Sequence, residues 1–284
     1  FNPYKVNRAF KSEVSASGKG INFTGVFQRI GGNPLVAQFV AGETGNKITE
    51  GLARCSLANI STETAGVTRV CSTIVCHESG QMTELIESAP PVSKRDMNEM
   101  LVTLTKSVQD IACIAICGTF PDGVDNKFLE KVIELYEKKI IFVDACRGIS
   151  DLLKSGVDVV KINMEELFSL TGAESIVIGI EIFYAKYKVD ILAVTDGPSD
   201  AYLKCGNRFV SYQIPRQQKV VNTLGAGDTA SAVFVKELTA GVDCVQAFKK
   251  ALSCSTASCL TAIPTEFDMD IARKIYDRIE IKYE

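Results

Sequence analysis

Short apolar segments alternate with helical segments from about residue 96 onward. The apolar segments read as strands with few polar side chains, at residues 111–117, 140–143, 157–162 and 191–195. Strands of this kind are buried on both faces, which is typical of a parallel sheet covered by helices. Parallel strands need long crossover connections, and the helical segments between them supply these. The pattern therefore predicts an α/β fold with a doubly wound, mostly parallel sheet, in which ligands bind at the carboxyl ends of the strands.

The first 90 residues follow a different pattern. Residues 6–15, 68–75 and 82–87 alternate polar and apolar side chains, as strands with one solvated face do. Residues 78–80, between the last two, fit a hairpin turn. These segments predict a small antiparallel sheet appended to the larger one.

The composition argues against several kinds of function. The chain has 284 residues and a formal net charge of -3, so we expect no basic surface for nucleic acid or for an anionic membrane. It contains ten cysteines without a Cys-x-x-Cys pair and a single histidine, which argues against a zinc site and against histidine as a base. Free thiols in this number indicate a reducing compartment, so the cytoplasm is the expected location. We expect neither a signal peptide nor a membrane span.

The sequence Gly225-Ala226-Gly227-Asp228 lies in a loop that opens a helix rich in small residues. Such a turn presents unpaired backbone amides and the positive end of the helix dipole, which together suit a phosphoryl group. Asp228, at the head of the helix, could accept a proton from a substrate hydroxyl. The alternative is that Asp228 only stabilises the start of the helix. A second aspartate, Asp144 at the end of an apolar strand, is interpreted as a cap for the next element.

A second glycine loop, Gly18-Lys19-Gly20, precedes the first helical segment, and Asn22 follows it. Lys19 offers a positive charge to a phosphate or hydroxyl, and the amide of Asn22 can both donate and accept. The loop is not a nucleotide P-loop, because the spacing of that motif is absent. On its own it is more simply interpreted as a solvated turn.

Together with Asn222-Thr223, these two loops resemble the signatures of the ribokinase-like (PfkB) carbohydrate kinases. Residues 6–8, Val-Asn-Arg, resemble the branch that contains 1-phosphofructokinase and tagatose-6-phosphate kinase. The resemblance implies that Asp228 deprotonates the acceptor hydroxyl. It also implies an anion hole and a sugar-binding loop, formed respectively by Gly225, Ala226 and Gly227 and by Gly18, Lys19 and Asn22.

Two further substrate contacts follow from the resemblance. Arg69 lies where this branch binds the phosphate of its substrate, and Thr119 lies in a segment that resembles S-G-S-L-P-x-G after a central strand. Cys117 and Thr119 stand where that loop has serines. Lys19 and Arg69 are expected to hold a phosphate already present on the substrate, since a guanidinium binds phosphate bidentately. The alternation alone would make Arg69 an exposed strand residue.

The nucleotide side of the site is implied by two more segments. Lys161, Asn163 and Glu166 match K-P-N-x-x-E-L, which implies contacts with the nucleotide phosphates and, for Asn163 and Glu166, with magnesium. The alternative is a capping box, which has the same Asn-x-x-Glu spacing. Thr195 and Gly197 match the [ST]-x-G of the family, which contacts the nucleotide.

The resemblance covers almost the whole chain and implies one kinase domain over residues 1–284, with lid segments at about 4–16, 66–76 and 81–88. The first strand of the family is expected to be missing from this sequence. The implied activity is ATP-dependent phosphoryl transfer to a hydroxyl of a small sugar phosphate, similar to fructose 1-phosphate or tagatose 6-phosphate. The implied cofactors are ATP and Mg²⁺, and a homodimer formed through the lid is a further expectation.

We weigh three other functions against the sequence. The chain could be a nucleoside kinase or an unphosphorylated-sugar kinase of the same superfamily. It could also be a catalytically degenerate homologue that only binds a ligand. A Rossmann-type NAD enzyme would share the architecture, but its glycine fingerprint is absent.

Overall fold

The computed structural model describes residues 2, 4–76, 82–107, 111–136, 139–145 and 147–284. Its helices, in chain order, are α1 (Lys19–Arg29), α2 (Gly42–Arg54), α3 (Lys94–Ser107), α4 (Asn126–Glu134), α5 (Ser150–Ser155), α6 (Met164–Thr171), α7 (Ile176–Lys186), α8 (Ala226–Thr239), α9 (Cys244–Ser258) and α10 (Met269–Arg278). Its strands are β1 (Val36–Val40), β2 (Asn59–Glu63), β3 (Cys71–Val75), β4 (Met82–Ile86), β5 (Cys113–Cys117), β6 (Ile140–Asp144), β7 (Val157–Asn163), β8 (Val189–Thr195), β9 (Ala201–Cys205), β10 (Arg208–Gln213) and β11 (Glu280–Tyr283).

The largest sheet has seven strands in the order β11-β10-β9-β8-β7-β6-β5. Strands β5 to β8 pair in parallel, and β9, β10 and β11 add antiparallel pairings at one edge. Because β10 is antiparallel to β9, it again runs in the direction of β5 to β8. The predicted α/β fold with a mostly parallel sheet is therefore confirmed.

Neighbouring side chains along the central strands enter different cores, one on each face of the sheet. Phe142 and Val159 belong to the core that α1, α8, α9 and α10 cover. Val143 and Val160, the next residues along the same strands, belong to the core formed with α3 to α7. All four are nearly inaccessible to solvent. Burial on both faces explains why these strands are apolar throughout instead of alternating.

The predicted small antiparallel sheet is the hairpin pair β3–β4. Every residue of β4 is exposed, and so are most of β3. The predicted turn at residues 78–80 lies outside the described residues, as does residue 81 of the third predicted lid segment. The second predicted strand begins three residues later than expected, at Cys71, because Thr68 bonds instead to the start of α2. Its hydroxyl accepts from the Ala41 amide at 2.7 Å.

The strand predicted at residues 6–15 is wrong. The structure assigns no strand to residues 4–17, and Val6 and Val14 are 81% and 92% exposed. An alternating segment becomes a strand only where a neighbouring strand accepts its backbone hydrogen bonds, and none pairs with it within the described ranges. No strand is assigned before α1 among residues 2 and 4–18. Strands β1 and β2 form a parallel pair of their own, and β5 is left as an edge of the large sheet.

No single helix in the described ranges is both long and apolar enough to cross a membrane. Taken together, the bent pair α6 and α7 satisfies the same criterion of length and composition.

Candidate active site

The predicted site residues converge at the carboxyl ends of the parallel strands. Cys117 at the end of β5 is in register with Asp144 at the end of β6. Asn163 at the end of β7 is in register with Thr195 at the end of β8. The amide of Gly118 donates to the carbonyl of Asp144 at 2.9 Å, which holds the loop after β5 against this edge. This is the edge where open α/β sheets bind their ligands.

Asp228 is a buried carboxylate in the first turn of α8, with 8% of its surface exposed. The Nδ2 of Asn22, on α1, donates to its Oδ2 at 2.7 Å. Burial raises the pKa of Asp228, and the nearby Asp144 charge adds to this, although the Asn22 bond and the two lysines Lys161 and Lys19 oppose it. A carboxylate with a raised pKa is a stronger base than an exposed one. The hydrogen bond from Asn22 to Asp228 also connects the two glycine-containing segments, since the backbone amide of Asn22 donates to the carbonyl of Gly18.

The start of α8 presents backbone amides with no acceptor of their own. Gly225 precedes the helix with φ of 74°, and a Cβ there would lie 2.5 Å from Thr265 Cγ2, so only glycine fits. No side chain caps this helix. The amide of Ala226 donates to the Thr223 carbonyl at 3.3 Å. Of the three predicted donors, the backbone amides of Gly225 and Gly227 have no acceptor within the described residues, and neither has the backbone amide of Asp228.

Asp144 is not a helix cap, which corrects the interpretation from sequence. It is 1% exposed, and its carboxylate accepts from Lys19 Nζ at 2.8 Å, from Lys161 Nζ at 3.2 Å and from Ser231 Oγ at 2.6 Å. Burial alone raises the pKa of Asp144, but Lys161 and Lys19 lower it below its ordinary value, so the group stays ionised. One feature of the sequence could have indicated this buried, paired carboxylate: Asp144 is an acid at the end of an apolar strand. Ser231 could not have been found in this way, because it is one of several small residues in its segment.

Lys19 lies between two acids. Its ammonium is 2.8 Å from Asp144 Oδ1 and 3.5 Å from Glu166 Oε1. Burial lowers the pKa of Lys19, but the charge of Asp144 and its hydrogen bond outweigh this and raise the pKa above its ordinary value. Lys19 is therefore charged, and its ammonium is directed to the edge where Asp228 lies.

Arg69 contacts a different group. Its Nη2 donates to Thr119 Oγ1 at 3.0 Å, which joins the segment before β3 to the loop after β5. Thr119 follows Gly118, whose position adjoins the Cβ of Lys19. No ion pair within the described residues involves Arg69, so its guanidinium keeps donors for an anion. Two predicted substrate contacts, distant in sequence, are thus brought together next to Gly118, which adjoins Lys19.

Asn163 and Glu166 form a capping box at the start of α6. The Asn163 side chain accepts from the Glu166 amide at 2.7 Å, and Glu166 Oε2 accepts from the Asn163 amide at 2.9 Å. The alternative interpretation of this motif is therefore correct as local structure. It does not exclude a role in ligand binding, because Glu166 Oε1 is outside the box and faces Lys19.

Lys161 and the loop after β8 complete this side of the edge. Lys161 is 4% exposed, and its ammonium also donates to the Gly227 carbonyl at 3.1 Å. Thr195 is half-buried. Gly197 lies in a turn, with φ of 53°, that the Ser199 amide closes by donating to Asp196.

Comparison with known proteins identifies the family. The sequence profile described as "pfkB family carbohydrate kinase" matches residues 2–267. The chain belongs to this family. The resemblance drawn from the two glycine loops is thereby confirmed, and so is the expectation of a carbohydrate kinase.

Individual relatives agree with this assignment. A Mycoplasma genitalium protein named "Putative 1-phosphofructokinase" is 30% identical over 261 residues, covering 89% of this chain and 84% of the relative. A tagatose-6-phosphate kinase of Staphylococcus epidermidis is 25% identical over 292 residues, covering 99% of this chain and 93% of the relative. The crystal structure of phosphofructokinase-2 from Escherichia coli in complex with potassium superimposes with a TM-score of 0.86 at 21% identity, covering 98% of this chain and 92% of the other. This last likeness confirms the fold.

Proposed function

We propose that this pfkB-family kinase transfers the γ-phosphoryl group of ATP to a hydroxyl of a small sugar phosphate, similar to fructose 1-phosphate or tagatose 6-phosphate. The observation that carries the proposal is the position of Asp228. A buried carboxylate with a raised pKa lies beside uncapped backbone amides at the start of α8. A base and an anion hole within one helical turn are the two parts that phosphoryl transfer to an alcohol requires.

In the proposed mechanism Asp228 accepts the proton of the substrate hydroxyl while the hydroxyl oxygen attacks the γ-phosphorus in line; the bond from the γ-phosphorus to the bridging oxygen breaks, and ADP leaves. Asn22 holds the carboxylate of Asp228 in place through their 2.7 Å hydrogen bond. The amides of Gly225, Gly227 and Asp228 donate to the oxygens of the transferring group, where the helix dipole also favours negative charge. Catalysis of this kind depends chiefly on position and electrostatics.

Lys19 is proposed to contact the transferring phosphoryl group. Its ammonium lies between Asp144 and Glu166, and its charge acts on Asp228. An incoming phosphate oxygen can take a place beside these acids because the Lys19 side chain is 37% exposed. The role differs from the one expected from sequence, in which Lys19 and Arg69 share one phosphate.

Arg69 and Thr119 are proposed to bind the phosphate that the sugar already carries. Arg69 has no acidic partner in the described part of the chain, and its bond to the Thr119 hydroxyl fixes the guanidinium. An unpaired guanidinium held in this way suits bidentate binding of a phosphate. This pair favours a phosphorylated sugar over a free one.

The residues present fit a magnesium ion bound as kinases bind it, through one or two carboxylates, several waters and the substrate phosphates. Glu166, assisted by Asn163, would supply the carboxylate through Oε1, which lies outside the capping box and 3.5 Å from the Lys19 ammonium. Within the described ranges no cluster of three or more His, Cys, Asp or Glu side chains could bind a metal by itself. When bound, magnesium neutralises phosphate charge. Thr195, Gly197 and Lys161 are proposed to lie on the nucleotide side.

The β3–β4 pair is proposed to act as a lid of the single kinase domain. A lid would exclude water from the transfer step and limit hydrolysis of ATP. Its apolar side chains Val75, Leu85 and Ile86 are 59%, 57% and 63% exposed. A two-stranded sheet is marginally stable alone, so we propose that it pairs with the lid of a second copy. Eight of the described cysteines, Cys76 aside, are free thiols, which supports the proposal of a cytoplasmic location.

Turnover with a substrate panel tests the proposal. Full-length protein would be mixed with ATP, Mg²⁺ and hexose phosphates, their unphosphorylated parent sugars, or nucleosides, with ADP release and the product phosphorus spectrum recorded. We expect ADP to form together with a sugar bisphosphate. Turnover of nucleosides or free sugars in preference to hexose phosphates would contradict the proposal, and so would no turnover with any of them.

A further inference from the structure

Asp144 is the most buried acid at this edge, yet the proposed mechanism does not use it. Its carboxylate accepts hydrogen bonds from three elements at once. Lys19 comes from α1, Lys161 from β7 and Ser231 from α8, at 2.8, 3.2 and 2.6 Å. One carboxylate therefore connects the substrate loop, the nucleotide side and the catalytic helix.

Lys161 extends this connection to the anion hole. Its ammonium donates to Asp144 and to the Gly227 carbonyl at 3.1 Å, and a Cβ on Gly227 would come within 3.2 Å of it. The Gly227 carbonyl and the Asp228 amide belong to one trans peptide, so they point in opposite directions. Holding the carbonyl against Lys161 thus aims the Asp228 amide away from Lys161, out of the start of the helix.

Asp144 also binds two lysines, Lys19 and Lys161, that could otherwise pair with Asp228. Lys19 and Lys161 both act on Asp228 through their charge, and a carboxylate paired with an ammonium is a weaker base. While Asp144 binds both lysines, the only hydrogen bond to the Asp228 carboxylate within the described residues comes from the neutral amide of Asn22.

We propose that Asp144 is a positioning residue for phosphoryl transfer. It withholds Lys19 and Lys161 from Asp228, and through Lys161 it fixes the peptide that carries the Asp228 amide. This inference rests on the proposed function, in which Asp228 is the base.

The substitution Asp144→Asn tests the inference, with Asp158→Asn as the matched control. Asp158 lies on the neighbouring strand β7, and its carboxylate accepts from the backbone amide of Ile141 on β6 at 2.6 Å, but it contacts none of these groups. We expect Asp144→Asn to lower kcat at least tenfold and to leave both KM values within threefold. Asp158→Asn should leave kcat unchanged. A kcat of Asp144→Asn within twofold of wild type would overturn the inference.

The pH dependence of kcat/KM distinguishes a positioning role from a merely structural one, because loss of a structural contact alone would not change the pKa of Asp228. The charged or titratable groups that act on Asp228 come from β5, β6, α1 and β7, and they are Cys117, Asp144, Lys19 and Lys161. Without the Asp144 charge, a like charge is lost and both lysines can turn to Asp228, so its pKa falls. The low-pH limb of kcat/KM should therefore move to lower pH in Asp144→Asn and stay in place in Asp158→Asn. An unmoved limb contradicts the inference.

Two further measurements keep the test decisive. If Asp144→Asn fails to fold because Lys161 lacks a counter-charge, the double variant Asp144→Asn/Lys161→Met replaces it. We expect that variant to retain the tenfold loss, and wild-type kcat would overturn the inference. Titration of the Asp228 carboxyl by carbon-13 NMR needs no turnover, and it should show a lower pKa in Asp144→Asn. Absence of wild-type turnover would contradict the proposed function alone, whereas an unchanged Asp228 titration would contradict the role of Asp144.

Discussion

The two groups of side chains proposed to handle phosphate differ in how their charges are partnered. Around Asp144 every charge is buried or paired, with Asp144 and Lys161 exposed by 1% and 4%. Arg69, by contrast, is only half-buried and has the hydroxyl of Thr119 as its bond to another element. Paired buried charges are costly to rearrange, so they hold a fixed geometry. An unpaired cation near solvent remains available to a ligand. This difference fits the proposal that phosphoryl transfer occurs at the group around Asp144 and Asp228, and that Arg69 and Thr119 recognise the substrate.

Asp228→Asn should have the largest effect, because it removes the base from the buried group. General base catalysis contributes about 10² to 10⁴ in rate, and kcat should fall by that order while the affinity for ATP stays the same. Since the raised pKa of Asp228 means that folding disfavours its charge, the variant should not melt at a lower temperature. Initial rates, calorimetric titration of nucleotide and thermal melting check this. The exposed Asp190→Asn is the control, and equal kcat in the two variants would refute the role of Asp228.

Arg69→Met removes the guanidinium that is proposed to bind the phosphate of the substrate. We expect the KM for the sugar phosphate to rise by about 10- to 100-fold, because a hydrogen-bonded charge contributes about 1.5–3 kcal/mol. The kcat should change little, since Arg69 makes no hydrogen bond to Asp144 or Asp228 within the described residues. Arg69→Lys should recover only part of the loss, because an ammonium cannot bind phosphate as a planar fork does. Steady-state kinetics with ATP held saturating separates the two parameters, and an unaltered KM in Arg69→Met would remove the substrate-binding role.

Asn22→Ala tests the role of Asp228 through the pH dependence of activity. The Asn22 bond lowers the pKa of Asp228, so its loss raises that pKa further. A base must be ionised, and activity is lost as pH falls through its pKa. The low-pH limb of the kcat profile should therefore move to higher pH. Ser17→Ala, which removes only the 3.2 Å bond from Ser17 Oγ to Asn22 Oδ1, should move the limb less. A shift to lower pH in Asn22→Ala would contradict the assignment.

Asn163→Ala should have the smallest effect, because its capping bond lies at the edge of the site. Loss of such a cap costs about 0.5–2 kcal/mol of stability. Asp125→Ala is the matched control, since Asp125 caps α4 by accepting from the Phe128 amide at 2.9 Å. Denaturant unfolding should show similar losses for both. Only Asn163→Ala should raise the KM for ATP with magnesium, and equal KM values would assign Asn163 to capping alone.

The parts of the site that are local in sequence could be predicted. Gly225 to Asp228 and Gly18 to Asn22 are each a short continuous segment at the start of a helix, so the spacing of the residues in the sequence was enough to predict them. The central strands were also predictable, because burial on both faces leaves an apolar run. Arg69 and Thr119 were singled out only through the family resemblance, and their contact depends on two elements that meet in the fold.

The rest depends on contacts that no local pattern records. Asp144 meets Ser231, 87 residues further along the chain, and a lone acid at a strand end has several simpler explanations. The strand expected at residues 6–15 failed for a related reason. Alternation describes the two faces of a segment but not the neighbouring strand that must accept its backbone bonds.

Binding of the sugar phosphate to Asp228→Asn and Arg69→Met tests most directly whether chemistry and recognition are separate. Calorimetric titration would be carried out with a non-hydrolysable ATP analogue present, so that no turnover occurs. We expect Asp228→Asn, which cannot catalyse, to bind with a Kd within about threefold of wild type, and Arg69→Met to bind at least tenfold more weakly. The reverse order, or equal weakening in both variants, would contradict this expectation.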